Sequence, residues 1–130
     1  MDKGADGNYL VSLRGPSAIY NINATDGSII WRLGGKDTNF TMGANATFWY
    51  QHNPRYLSDV TMSPFYISLF DNAEGGGAPA EAEARGLILE VDTEAMTAEV
   101  YAEYFPSFDN VAGSQGSMTV GDETVFIGWG

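Results

Sequence analysis

The chain contains one histidine, His52, in a short polar segment whose residue types could carry chemistry. The segment reads Gln51-His52-Asn53-Pro54-Arg55. An imidazole is the natural nucleophile or general acid/base near neutral pH. A guanidinium binds sulfate-like oxygens in a fork and stabilises charge on a transferring group. These residue types could serve the transfer of an oxyanionic group, with His52 as nucleophile and Arg55 as charge stabiliser.

Each of these two residues also has a structural interpretation. A single histidine on the inner strand of a sheet can serve only to hydrogen-bond the backbone. Arg55 could equally pair with Asp59 or Asp71 on the surface. Because one histidine and one arginine do not make a catalytic constellation by themselves, the residues alone leave both interpretations open.

Three further residues are candidates for substrate contact. Asn53 and Gln115 could donate hydrogen bonds to a bound oxyanion, or could satisfy loop backbone, as such amides more often do. Trp49 stands close to His52 in an aromatic run and could stack on a phenol or a sugar, whereas Trp31 and Trp129 are expected in the core.

Neither a metal nor a cofactor is expected. Two separate Asp-Asn pairs, at 71–72 and 109–110, do not make a calcium loop, which needs several converging oxygens. The three glycines at 75–77 lack the following Lys-Ser/Thr of a phosphate loop and are typical of a flexible tip.

Composition narrows the class of protein. The 130 residues suffice for one modest domain, and 44% of them are hydrophobic, so the chain can build a core. The formal net charge of −11 argues against nucleic acid and anionic lipid as partners. No apolar run approaches the roughly 20 residues of a membrane helix. With no cysteine, the redox compartment stays open.

Three N-glycosylation sequons begin at Asn23, Asn39 and Asn45. Three is a mild excess over what chance would place in a chain of this composition. The sequons favour an extracellular, secreted and glycosylated protein, although the first residues carry no apolar signal segment.

Strand signals run along the whole chain. Short apolar or alternating runs separated by turn residues predict strands over 8–13, 18–22, 28–33, 48–57, 65–70, 86–91, 97–104, 117–120 and 124–129. Residues 72–85 are rich in Gly, Ala and Glu and predict a long surface loop. The chain is therefore expected to be all-β, a single unit over 1–130 with a loop insertion at 72–85.

An internal repeat indicates how the strands are arranged. Residues 9–13 resemble residues 66–70 and 125–129, and residues 19–23 resemble residues 87–92. Four-stranded units repeated in this way are typical of β-propeller blades, although a β-sandwich also has short, evenly spaced strands. We therefore expect about two four-stranded antiparallel blades of an incomplete propeller. Since closure takes about four to eight blades, the rest of a propeller or further copies of the chain are expected as partners.

Several segments resemble the fungal-type branch of the arylsulfotransferase family. The more specific ones are Trp-Arg-Leu-Gly-Gly-Lys at 31–36 and Ser-Gln-Gly-Ser at 114–117, and weaker matches include Asp-Gly-Asn-Tyr-Leu-Val-Ser at 6–12, Gln-His-Asn-Pro-Arg at 51–55 and Phe-Ile-Gly-Trp-Gly at 126–130. Together the matching segments cover nearly the whole chain.

The resemblance implies a propeller fold and transfer of a sulfuryl group between phenolic compounds. In such enzymes a histidine carries the sulfuryl group and no nucleotide donor is used, so the implied carrier here is His52. The resemblance also implies more sequence upstream, including a His-Ile-Asn block. A non-catalytic secreted binding or scaffold module, or an inactive fragment, remains the alternative.

Overall fold

The computed structural model describes residues 1–75, 77–80, 82–108 and 112–130. Within these ranges the chain forms eleven β-strands and no α-helix. The strands are β1 (Asp2–Lys3), β2 (Tyr9–Leu13), β3 (Ala18–Ile22), β4 (Ile29–Gly34), β5 (Thr41–Met42), β6 (His52–Tyr56), β7 (Phe65–Asp71), β8 (Arg85–Asp92), β9 (Thr97–Tyr104), β10 (Ser117–Val120) and β11 (Val125–Gly128).

The strands make two antiparallel meanders and a hairpin. The first sheet has the order β1-β2-β3-β4, and β10 and β11 form the hairpin. The second sheet has the order β6-β7-β8-β9, with the short β5 added beside β9 in parallel. Tight turns join neighbouring strands. At the turn before β4, for example, the Asp26 carboxylate accepts hydrogen bonds from the backbone and the hydroxyl of Ser28.

The second sheet is buried on both faces. On one face Ile67, Leu69 and Leu87 pack against Leu10 and Ile19 of the first sheet, in a core that also takes in Phe48 from the connection. On the other face Phe70 contacts Ile127 and Trp129 in and after the hairpin. This stacking confirms the expected incomplete propeller, because the middle sheet of two blades and a hairpin has a neighbour on each side.

The packing explains why β8 contains a glycine. A side-chain β-carbon at Gly86 would lie 2.7 Å from the Ile127 side chain and 3.0 Å from the Met118 sulfur. The hairpin therefore approaches the backbone of β8 at a point where no side chain intervenes.

The strand that carries His52 is shorter than the sequence predicts. The predicted strand over 48–57 begins only at His52, because Tyr50 has a left-handed backbone with φ 52°. A register shift between His52 and Arg55, with Asn53 at φ 53°, makes a bulge opposite β7. β6 contacts β1, β2 and β10, so His52 starts the strand on which the three sheets meet.

In the part of the chain that the structure describes, no helix has the length and apolar character needed to cross a membrane.

Candidate functional site

The structure joins His52 to a buried asparagine. Nδ1 of His52 lies 2.7 Å from Oδ1 of Asn72, just beyond the end of the neighbouring strand β7. The Asn72 side chain, 3% exposed, donates from Nδ2 to the carbonyl oxygens of Ala112 at 3.0 Å and Gln115 at 2.9 Å. The half-buried imidazole is therefore bound by Asn72, which is in turn bound by the loop that leads into the β10–β11 hairpin, the third sheet.

Left-handed backbone is concentrated around this pair. Tyr50, Asn53, Ala73 and Gln115 all have φ between 52° and 65°. Each is within two residues of His52 or Asn72, or supplies the carbonyl that Asn72 binds. Such conformations cost of order 1–3 kcal/mol each for residues other than glycine, and they persist where the surrounding structure imposes them. Their grouping at one imidazole marks this end of the second sheet as a candidate site.

The buried carboxylate of Asp71 connects the segment before His52 with the segment after Asn72. Oδ1 of Asp71 accepts hydrogen bonds from the backbone of Trp49 at 2.9 Å and of Ala73 at 2.9 Å. Its other oxygen lies 3.0 Å from Nε of Arg85. Burial raises the pKa of Asp71 above its usual value, and the backbone donors and Arg85 oppose that rise only in part.

Arg85 is a structural tie in this arrangement. Besides Asp71 it contacts Glu103 through Nη1, and its Nη2 donates to the carbonyls of Asn45 at 2.9 Å and Thr47 at 2.8 Å. All three guanidinium nitrogens are therefore engaged. The adjoining cavity of about 570 Å³ is also lined by the acidic Glu83 and Glu103, so a sulfate ester would meet net negative charge there.

Positive charge accessible from solvent lies on the other side of Trp49. The Arg14 guanidinium stacks 4.1 Å from the ring centre of Tyr50 and donates to the Gly113 carbonyl at 3.1 Å. Lys36, Trp49 and Tyr50 line a second cleft of about 370 Å³. Aromatic rings and the Lys36 ammonium group thus line this cleft, and Tyr50 in its wall is two residues from His52 along the chain. Such a lining suits an anionic aryl compound.

The other candidates from the sequence are spread more widely. Arg55 donates to the carbonyls of Met1 at 2.8 Å and Pro54 at 3.3 Å, and among the described contacts it has no carboxylate partner and no bond to His52. Asn53 donates to the carbonyl of Met118 at 2.9 Å and ties β6 to β10. Gln115 contributes its backbone carbonyl to Asn72.

The side chains of the three sequon asparagines make no contact with His52 or Asn72 among the described hydrogen bonds. Asn39 is exposed, and its Oδ1 accepts from the Arg32 backbone at 2.7 Å. Asn23, half-buried, accepts from the Thr25 backbone at 2.8 Å. Asn45 is exposed at its side chain, while its carbonyl binds Arg85.

Sequence reasoning missed Asn72 and Arg14. Asn72 was visible as half of a polar pair after a strand, but that pair was considered only as a metal ligand. Within the described ranges no group of three or more His, Cys, Asp or Glu side chains could hold a metal ion. Arg14 gave no signal, since it reaches the site through a hydrogen bond spanning 99 residues of chain.

Comparison with known proteins identifies a family. A family model described as "Arylsulfotransferase (ASST)" matches residues 1–130. No curated protein and no solved structure gives a significant match.

Proposed function

The chain belongs to the arylsulfotransferase family, and on that premise we propose that it transfers a sulfuryl group between phenolic compounds through His52. The observation that carries the proposal is the immobilised imidazole: one ring nitrogen is bound to buried Asn72, and no hydrogen bond within the described residues engages the other. An oriented imidazole with a free nitrogen is what nucleophilic catalysis requires.

The reaction would proceed in two displacements. Nε2 of His52 attacks the sulfur of an aryl sulfate, an N–S bond forms, and the S–O bond to the ring breaks as the phenolate leaves with the electron pair and takes a proton from solvent. A second phenol then attacks the same sulfur through its oxygen and releases its proton to solvent. The N–S bond breaks, its electron pair returns to Nε2, and no metal or nucleotide is consumed.

Substrate recognition would use the cleft lined by Lys36, Trp49 and Tyr50. A phenolic sulfate is anionic, and the net charge of −11 repels it at long range. Local cations must therefore attract it. Arg14 and Lys36 support this role, whereas the Arg55 guanidinium is occupied by the Met1 and Pro54 carbonyls.

The test is formation of a sulfated histidine. The chain is incubated with 4-nitrophenyl sulfate, release of 4-nitrophenolate is followed by absorbance, and sulfated peptides are mapped by mass spectrometry. We expect one sulfuryl group on the His52 peptide and none in His52→Ala, while Asp122→Asn, at the exposed turn of the hairpin, behaves as wild type. Unmodified His52 with no phenolate release would instead support a non-catalytic binding module.

We also propose an adjoining blade as the macromolecular partner, from the same polypeptide or from a second copy. Phe126 is 73% exposed on β11, and Leu13, Ile29 and Ile30 are exposed on the first sheet. Apolar side chains are therefore exposed on the two outer sheets, where an adjoining blade could cover them. Light scattering distinguishes the sources: self-association that Phe126→Glu abolishes indicates a second copy, and a monomer indicates blades from the same polypeptide.

The localisation that we propose is extracellular. The exposed side chains of Asn39 and Asn45 support it, since a sequon must be accessible to be glycosylated. Expression through a eukaryotic secretory pathway should add glycans at these positions, detected as a mass shift that glycosidase removes. Unmodified peptides at all three sequons would contradict the proposal.

A further inference from the structure

We propose that Asn72 is a positioning residue that fixes the tautomer of His52, so that the neutral imidazole carries its hydrogen on Nδ1 and presents the lone pair of Nε2. The proposal deepens the function proposed above, because it names the group that prepares His52 for attack on sulfur. Only the catalytic role of the tautomer rests on that function, since the tautomer itself can be measured without any substrate.

The orientation of the Asn72 amide follows from its surroundings. Two carbonyl oxygens, of Ala112 and Gln115, lie 3.0 Å and 2.9 Å from the same Asn72 atom. Carbonyl oxygens only accept hydrogen bonds, so the atom between them must be the NH₂ group, which has two hydrogens to give. The reversed amide would place three oxygens together and remove a donor from both carbonyls.

The tautomer of His52 follows from that orientation. With NH₂ committed to the loop, the Asn72 atom facing the imidazole is the oxygen Oδ1, at 2.7 Å from Nδ1. An amide oxygen cannot donate, so Nδ1 must carry the hydrogen. A neutral imidazole has one N–H, which leaves Nε2 with a lone pair. A histidine held through Nδ1 in this way is ready to act as a nucleophile through Nε2.

Burial makes the positioning strict. Asn72 is 3% exposed and its three polar contacts come from two different elements, β6 and the loop before β10. No water needs to be invoked to satisfy the amide, and rotating it would break all three hydrogen bonds at once. The loop of the third sheet thus sets which nitrogen of a histidine on the second sheet is free.

Nitrogen NMR of the ring tests the proposal directly. The chain is labelled with ¹⁵N-histidine, and because His52 is its single histidine, both ring signals belong to it. The two nitrogens are told apart by their couplings to the ring C–H hydrogens, since Nε2 couples to both and Nδ1 strongly to only one. At alkaline pH, where imidazoles are neutral, we expect Nδ1 to show the protonated shift and Nε2 the unprotonated one. The opposite pattern in the wild type would overturn the proposal.

Three variants separate positioning from general stability. Asn72→Leu removes the acceptor and should return most of the ring to the Nε2–H form that dominates in a free histidine side chain. Asn72→Asp keeps an oxygen acceptor facing Nδ1 and should preserve the wild-type tautomer, but its second oxygen gives no hydrogen to the Ala112 and Gln115 carbonyls, so its thermal melt should lie below that of the wild type. Asn21→Leu, at another buried amide bonded to Tyr56, should leave the ring signals unchanged.

The outcomes also distinguish this proposal from the function. If Asn72→Leu folds, by its thermal melt, and keeps the wild-type ring signals, Asn72 does not position His52. If that variant fails to fold, the wild-type pattern still decides, since a hydrogen on Nε2 and none on Nδ1 in the wild type would refute the acceptor role of Asn72. A wild-type Nδ1–H ring that never takes up a sulfuryl group would leave the positioning intact and refute sulfuryl transfer.

Discussion

Replacing Arg85 by methionine tests whether the buried ion pair with Asp71 supports the site. Methionine keeps much of the length of the side chain and loses its charge and donors. Arg85 is 8% exposed and Asp71 1%, so the variant leaves a carboxylate in the core without its cation. Removing one partner of a buried pair costs about 3–5 kcal/mol.

The local contacts place the expected cost toward the low end of that range. Asp71 keeps its two backbone donors, from Trp49 and Ala73, and Glu103 is partly exposed and can turn to water. The carbonyls of Asn45 and Thr47 lose a shared donor. We therefore expect the free energy of unfolding to fall by about 3 kcal/mol at neutral pH.

The loss should depend on pH in a definite direction. Burial already raises the pKa of Asp71, and a group of this kind contributes stability that is present at low pH and is lost as pH rises through its folded value. Removing Arg85 raises that pKa further, because the guanidinium no longer favours the carboxylate. The variant should therefore lose less stability at pH 5, where more of the carboxyl is protonated, than at pH 8.

Urea unfolding followed by tryptophan fluorescence measures both effects. Wild type, Arg85→Met, Asp71→Asn and the double variant are compared at pH 5 and pH 8. The double variant should recover part of the loss and show little pH dependence. A cost for Arg85→Met below about 1 kcal/mol, or an equal cost at the two pH values, would refute an uncompensated buried carboxylate.

Three further predictions concern backbone and burial. Gly35→Ala should destabilise more than Gly7→Ala by urea unfolding, because both glycines have positive φ but only the first would bring a β-carbon within 2.5 Å of the Pro16 carbonyl oxygen; equal losses would contradict this. Ala73→Gly should raise the free energy of unfolding by about 0.5–1 kcal/mol by relieving a left-handed backbone, and a loss would show that its methyl group matters more. Burial, and to a smaller extent the charges of Asp6 and Asp2, raises the pKa of Tyr56. The free energy of unfolding should therefore fall as the pH rises above the usual tyrosine range. In thermal melts at alkaline pH, Tyr56→Phe should lose less stability than the wild type, and an equal loss would contradict this.

The architecture was accessible from sequence because strand patterns and turns are local signals. The meander of β2, β3 and β4 follows from alternating residues around Asp26 and Gly27. The two-residue strands β1 and β5 were missed, since they are too short for a periodicity to show. The late start of β6, at His52, depends on the left-handed Tyr50, whose backbone N–H donates to the Ser17 hydroxyl of a distant turn.

The candidate site was accessible only in part. A single histidine in a polar segment is conspicuous in any sequence, so His52 was found. The partners of His52 come from elsewhere: Asn72 is 20 residues away, and the loop that orients it lies another 40 or more residues on. Arg55 was chosen because it is near in sequence, but the bulge in β6 and the Met1 carbonyl direct its guanidinium to other contacts.

The dependence of Asn72 on the carbonyls of Ala112 and Gln115 limits how the protein can be redesigned. Transplanting the β6–β7 hairpin alone into another scaffold would carry the histidine across but leave its orienting amide without the two acceptors that hold it. The smallest segment that can be transplanted with its orienting contacts therefore extends through the start of β10. Transplants from this protein should accordingly include the loop of the following sheet as well as the sheet that carries the histidine.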